Sequence, residues 1–190
     1  MKHYIVYDKN TANEESAQLL NAVEGMISFI PNIFGVIAES SPALQAFVEL
    51  NNQLSKSSFG AIEREIIQTA VSVENQCNYC VAGHTAFAHM QDVPAEIIEA
   101  VRNNQAIKYS KKLEALNQFT RTLVRSKGMI PSQAQEDFLA AGYTHAQVLE
   151  VILGICVKTF SNLTNNTIGI PLDDEFRPYK WQPIETNQAA

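Results

Sequence analysis

The chain has 190 residues, with 14 Lys and Arg against 20 Asp and Glu for a formal charge of -6. That length suits one well-buried core and is short for two, so a single domain over residues 1–190 is the expectation. With 46% hydrophobic and 18% charged residues the composition is that of an ordinary globular protein. An acidic balance without clustered Lys and Arg gives a nucleic acid nothing to hold, so none is expected as a partner.

Helical periodicity dominates in chain order. Asn13 or Thr11 can cap a first helix carrying Leu19, Leu20, Val23, Met26 and Ile27, and Pro31 then interrupts before a short apolar piece over Ile33–Ile37. Ser41-Pro42 is a start signal, with Ser as cap and Pro at the first helical position, and Leu44, Phe47, Val48 and Leu54 follow at helical spacing. The next helix is expected over Phe59–Glu74, with Ile62, Ile66, Ala70 and Val73 on one face. Asn75-Gln76 reads as a break, after which a helix bearing two cysteines runs to about Met90.

Asp92-Val93-Pro94 opens another helix with Ile97, Ile98 and Val101, and a longer one spans Ser110 to Lys127 and stops at Gly128. On it and just before it, Lys108, Lys111 and Lys112 read as a solvated face. Pro131-Ser132 begins a short helix that ends near Gly142, and Thr144 caps a long apolar helix carrying Val148, Leu149, Ile152 and Ile155. The tail from Gly169 is rich in Pro and aromatics and has no period. Only Tyr4-Ile5-Val6-Tyr7 is β-prone, and no repeat of fixed period occurs, so the fold class is all-α.

The amino-terminal stretch Met1–Asp8 has no sustained apolar run and does not read as a signal peptide. No stretch reaches the ~18 uncharged apolar residues of a spanning helix; the best candidate, Val148–Phe160, contains Glu150 and Lys158. No membrane partner is therefore expected. Three cysteines are too few for a disulfide-stapled fold, and a reducing cytoplasm is the expected location, where a close cysteine pair is usually catalytic or metal-binding.

Cys77, Cys80 and His84 are the residues that carry chemistry. At about 100° per residue Cys80 lies about 60° from Cys77 on the helix, and His84 falls between them. Two sulfurs so placed can close a disulfide, and an imidazole beside them can take or return a proton. Because the thiolate is the nucleophile, a neighbouring base or positive charge sets its reactivity. Zinc is the second reading: the pair and His84 make three ligands where a structural site wants four. His89 lies about 140° round the helix from His84, and Cys156 would have to come from elsewhere in the fold. Two inert buried thiols are the third reading, and lone Cys156, among Gly154, Ile155 and Val157, is best read as a buried small hydrophobe. Glu63, Glu65 and Glu74 on the preceding helix are candidate proton carriers. A straight helix would hold Glu65 ~18 Å from Cys77, so the chain must turn back near Asn75 for it to serve. Periodicity does not choose among the three glutamates.

The run from Glu65 through Ala70-Val71-Ser72, Asn75, Cys77-Asn78-Tyr79-Cys80 to His84 resembles the core of AhpD-like alkylhydroperoxidases in the carboxymuconolactone decarboxylase superfamily. Phe29–Phe34 and Ser40-Ser41-Pro42 on one side, and Asn162–Asn166 with Pro171-Leu172-Asp173 on the other, resemble the flanks of its longer, peroxidase-related members. The resemblance implies an AhpD-like helical fold and a thiol-dependent peroxidase. Cys80 would attack a small hydroperoxide, Cys77 would resolve the sulfenic acid, His84 would shuttle the proton, and Glu65 would orient or recharge His84. It implies no cofactor and no metal, an external dithiol or lipoyl-type reductant, and a homo-oligomer in which the Val148–Phe160 helix can serve. Two positions depart from the pattern: Tyr79 stands where some members have a histidine, and Asn166 where longer members often carry one. For the order of the cysteines physics is divided, since a helix N-terminus favours Cys77 as thiolate and nearby His84 favours Cys80. The alternatives are a cofactor-free lactone decarboxylase, which has no use for a redox pair, and a non-catalytic thiol-redox sensor.

Overall fold

The computed structural model describes residues 4–183. The two ends of the expected 1–190 domain, and the first three residues of the stretch read for a signal, lie outside the described residues. Those described form an all-α fold without a strand; Tyr4–Tyr7 is extended, and Tyr7 N donates to Gly35 O at 3.1 Å.

Nine α-helices follow in order: α1 (Glu14–Ile27), α2 (Asn32–Ile37), α3 (Ser41–Ser55), α4 (Ala61–Glu74), α5 (Asn78–Met90), α6 (Ala95–Arg102), α7 (Lys111–Arg125), α8 (Ser132–Ala140) and α9 (His145–Ile168). A 3₁₀ segment, Asp174–Tyr179, closes the chain. Local signals account for most boundaries. Asn13 caps α1 by accepting from Ser16 N at 3.0 Å, and Ser110 caps α7 through Leu113 N. Thr144 and Gln147 cap α9 reciprocally, Thr144 Oγ1 accepting from Gln147 N and Gln147 Oε1 from Thr144 N. At α3 the cap is Ser40 rather than Ser41. The Ser41 hydroxyl instead donates to Asn13 Oδ1 at 2.9 Å, tying the starts of α1 and α3 together.

Helix α4 is central, packing on α5, α6, α7 and α9. The apolar residues of the fold divide into two main cores, and those of α4 belong to the second. One, built from Leu20, Ile33, Phe34, Phe47, Val157 and Phe176, also contains Cys77 and Cys80. The other gathers Ile66, Ile67, Ile97, Leu116, Phe119 and Phe138. Where α9 crosses α4, Gly154 lets the helices approach, and a Cβ added there would come 2.7 Å from Ile67 Cγ2.

Helix α9 runs longer than its apolar segment suggests. By length and composition it could cross a membrane, yet it bears a buried polar row, Lys158, Ser161, Asn162 and Asn165, turned toward the cysteine helix. Its opposite side exposes Leu149, Ile152, Leu163 and Cys156. The expectation that Cys156 is buried is thus corrected. Gly154 and Val157 face the core, and Cys156 falls between them on the outer face.

Gly154→Val should lower stability by about 1–3 kcal/mol, because Ile67 is stiff, fully buried and cannot yield without shifting α4. The check is urea unfolding, with a lower midpoint at an unchanged slope.

Candidate functional site

The site begins at the break between α4 and α5. Asn75 ends α4, Gln76 takes a left-handed φ of 52°, and Cys77 becomes the N-cap of α5. Cys77 N donates back to Ser72 O at 2.9 Å, and Asn166 Nδ2 holds Asn75 O at 2.8 Å. The chain therefore reverses, and α5 runs back along α4. This is the turn that brings Glu65 to the cysteine helix.

Of the three candidate glutamates the structure puts Glu65 beside His84, with Oε2 2.8 Å from Nδ1 and both side chains buried. Gln91 Nε2 donates to the other carboxylate oxygen at 3.0 Å. Glu63 instead caps its own helix through Gly60 N, and Glu74 pairs with Arg121 and Arg125. The far ring nitrogen, Nε2 of His84, lies 2.6 Å from Nζ of Lys158, which is 5% exposed. Carboxylate, imidazole and amine thus stand in line across α4, α5 and α9. With Glu65 as the acceptor Nδ1 carries the hydrogen, and Nε2 accepts from Lys158. Burial, followed by the Lys158 charge, lowers the His84 pKa against the pull of Glu65, so the ring is neutral near pH 7. Burial lowers the Lys158 pKa as well, opposed chiefly by Cys80.

Cys77 and Cys80 are both buried and both free thiols. Cys77 Sγ accepts from Cys80 N at 3.4 Å and from Asn165 Nδ2 at 3.4 Å. Cys80 Sγ lies 3.8 Å from Ser161 Oγ. Hydrogen bonding to the Cys80 side chain, and then burial, push the Cys77 pKa up. For Cys80 burial also opposes ionisation. The hydrogen bond from Cys77, the Lys158 charge and the Asn162 and Ser161 side chains outweigh it and bring the pKa down to about 7. The same hydrogen bond thus raises Cys77 and lowers Cys80.

Cys80 opens onto a cavity of about 420 Å³, while Cys77 sits behind it. Phe34, Phe47, Leu54, Phe87 and Phe176 supply apolar walls, His84 and Lys158 line the same space, and the half-open rim includes Met26 and Met90. Phe176 lies edge-on to Phe29, Tyr79 and Phe87, above Gly83. The 3₁₀ segment that carries Phe176 is held at its start by Asp173, which accepts from the Tyr79 hydroxyl and from Asn32 N. At its end Arg102 Nη2 donates to the carbonyls of Tyr179 and Lys180. Tyr79 therefore faces away from the imidazole and anchors a wall. Asn166 pins the turn, and its neighbour Asn165 is the residue that touches sulfur. His89 stacks on Tyr179, so neither it nor exposed Cys156 joins the pair. Among the described residues no three His, Cys, Asp or Glu side chains are grouped to hold a metal ion.

The structure sets Glu65, chosen by the resemblance, beside His84 on the cysteine helix and adds Lys158, Ser161, Asn162 and Asn165 from α9. These fall at i, i+3, i+4 and i+7 on α9, a polar stripe inside an otherwise apolar helix, and that spacing was a readable signal.

Residues 42–121 match the model of the carboxymuconolactone decarboxylase family. That stretch is similar to the family over less than half of the chain, and the fold as a whole is AhpD-like. The fold resembles the crystal structure of an alkylhydroperoxidase AhpD core, an uncharacterized peroxidase-related protein from Ralstonia eutropha JMP134. The two share 24% identity at a TM-score of 0.82, over 92% of this chain and 93% of that one. A peroxidase-related protein from Silicibacter sp. TM1040 aligns at 19% identity and a TM-score of 0.77, over 86% and 87% of the two chains. The debrominase Bmp8 in complex with 2,3,4-tribromopyrrole aligns at 15% identity and a TM-score of 0.74, over 85% and 87%. A comparison with curated proteins finds no match. The family region holds Glu65, Cys77, Cys80 and His84, whereas Lys158 and Asn165 lie beyond it.

Iodoacetamide should alkylate Cys80 well before Cys77, with a rate that rises as pH climbs through a midpoint near 7, since only the thiolate reacts. Site-resolved mass spectrometry across a pH series measures both.

Proposed function

We propose that this protein is a thiol-dependent peroxidase that reduces a small hydroperoxide through a Cys80–Cys77 disulfide cycle. The observation that carries the reading is the arrangement of the two sulfurs. The acidic one faces a cavity of about 420 Å³, and the protonated one waits directly behind it. Cys80 attacks the terminal oxygen of the hydroperoxide, forming an S–O bond as the O–O bond breaks and the alcohol leaves. Cys77 then attacks that sulfur, forming the disulfide and releasing water. Glu65 and His84 belong to the proton relay, Glu65 fixing the tautomer of the ring and the ring meeting Lys158. Asn165, donating to Cys77 Sγ, steadies that sulfur as it loses its proton.

An external dithiol must reopen the disulfide, because the described residues offer no third thiol in reach: Cys156 is on the outer face of α9. Both sulfurs lie below the surface, so a slender lipoyl-type arm suits the half-open cavity better than a bulky thiol protein. A reducing compartment fits such a cycle.

A second reading is favoured by the apolar aromatic walls and by the fold shared with a debrominase. The same two electrons could reduce a carbon–bromine bond of an apolar halogenated ring, giving the ring C–H, bromide and the Cys77–Cys80 disulfide. The lactone decarboxylase alternative has no role for the pair. The sensor alternative would show thiol loss without turnover.

Reduced protein given one equivalent of cumene hydroperoxide should lose two thiols and yield one equivalent of cumyl alcohol. Cys80→Ser should lose this reaction, and Cys77→Ser should stop at a sulfenic acid that dimedone traps. Sulfenic acid in Cys80→Ser would reverse the order of the sulfurs, and no thiol loss in the parent protein would end the peroxidase reading. Bromide release from tribromopyrrole, read by ion chromatography, decides for the second.

The exposed row Leu149, Ile152 and Leu163 on α9 supports a homo-oligomer in which a second copy covers that face. Light scattering should return a multiple of the 21.1 kDa chain mass, falling to that mass in Leu149→Glu/Leu163→Glu.

A further inference from the structure

Both ring nitrogens of His84 are already engaged on opposite edges. Nδ1 meets Glu65 Oε2 at 2.8 Å and Nε2 meets Lys158 Nζ at 2.6 Å, which leaves the ring no free nitrogen for a sulfur or a substrate. Beyond the ring stands Lys158, on the wall of the cavity that Cys80 also lines. We propose that the Lys158 ammonium, rather than the His84 imidazole, is the catalytic acid that holds Cys80 as a thiolate and delivers a proton to the departing oxygen. This rests on the peroxidase reading of the site.

An ammonium that is 5% exposed is costly unless a negative charge answers it. The groups that face it from the packed elements are few. Helix α4 presents Glu65 and, further along the cavity wall, Arg64; α5 presents His84, Cys77 and Cys80; Tyr79 is turned to Asp173. Glu65 reaches Lys158 only through the ring. The remaining anion that can form beside it is the Cys80 thiolate, so ionising that sulfur completes an ion pair the fold otherwise leaves open. The electrostatics agree in direction: among the charges that favour the Cys80 thiolate Lys158 stands first, and among those that favour the ammonium Cys80 stands first.

The step then balances. The Cys80 thiolate attacks R–O–O–H, the S–O bond forms, the O–O bond breaks with its electron pair going to R–O⁻, and Lys158 gives that oxygen its proton. Sulfur is oxidised by two electrons to the sulfenic acid and the peroxide is reduced to the alcohol. The neutral amine left on Lys158 then takes the proton that Cys77 loses as it attacks the sulfenic sulfur and passes it to the departing hydroxide, which leaves as water when the S–O bond breaks. His84 and Glu65 become positioning residues: the ring accepts from Nζ and aims it, and the carboxylate keeps the Nε2 lone pair turned toward the amine.

The test compares Lys158→Met, Lys158→Arg and His84→Ala by two readouts. The first is the pH profile of Cys80 alkylation. Its midpoint should rise by about one unit or more in Lys158→Met, a tenfold loss of thiolate, and stay near the parent value in Lys158→Arg. The second is the ratio of rate constants for cumene hydroperoxide and peracetic acid. The first leaves as an alkoxide that needs a proton and the second as acetate that does not. That ratio should fall about 10²-fold or more in Lys158→Met, in the range of a lost general acid, and less in His84→Ala. A merely structural role for Lys158 would slow both peroxides alike. A larger loss of ratio, or a larger rise in midpoint, in His84→Ala than in Lys158→Met overturns the proposal. If Lys158→Met does not fold, His84→Ala alone decides: a Cys80 midpoint held at the parent value supports the lysine, and a midpoint raised by a unit refutes it. Should the parent protein react with neither peroxide, the peroxidase reading fails and with it the acid role, while the alkylation profile still reports whether Lys158 holds the thiolate.

Discussion

A carboxylate, an imidazole and a lysine amine lie in line within an apolar helical core, and the surrounding structure answers to that constraint. Each buried charge costs several kcal/mol unless it is paired and hydrogen-bonded. The three groups come from three helices, so α4, α5 and α9 must hold one another in register for any of them to be satisfied. The close α4–α9 approach at Gly154 and the reversal at Gln76 follow from this need. The first brings Lys158 inward, and the second lays Glu65 against His84. Energy that a purely apolar core would put into stability is here spent on fixing where protons and a thiolate can sit.

Much of this was legible in the residues themselves. Helix boundaries followed from local chemistry: Asn13 and Thr144 cap helices in the structure as their types and positions suggested, and the segment read as starting at Ser110 is capped by that serine. The Asn75-Gln76 break was legible because neither residue has reason to continue a helix against a following cysteine cap. The choice of Glu65 over Glu63 was different in kind. Both lie on a plausible face of α4, and only the angle at which α5 folds back separates them, which no one-dimensional period encodes. Glu63 sits at the helix start, where its carboxylate closes on Gly60 N instead.

Lys158 and Cys156 were misjudged for a shared reason. Both stand in a run of apolar residues, and such a run invites the assumption that everything in it is buried in the same way. A 24-residue helix with a core on one side has an outer face too, and Cys156 is on it. Lys158 was weighed only as a charge that keeps the segment out of a membrane. Its spacing to Ser161, Asn162 and Asn165 carried the better information, since four polar residues on one buried stripe need partners. Tyr79 shows the reverse case. It stands where some relatives have a histidine, and its phenol holds the 3₁₀ segment through Asp173 and accepts from Ile33 N.

Phe176 belongs to that closing segment, and its ring sits on Gly83, one residue before His84 in the chain. The reactive sulfurs and the imidazole beside them are thus written in one stretch of polypeptide, and the ceiling above them in another about ninety residues on. Repacking the ceiling alone, by changing Phe176 or the Asp173 latch, alters which molecules fit without disturbing a single hydrogen bond between Glu65, His84 and Lys158. A scaffold divided in this way is a ready starting point for laboratory selection of new electrophile preferences.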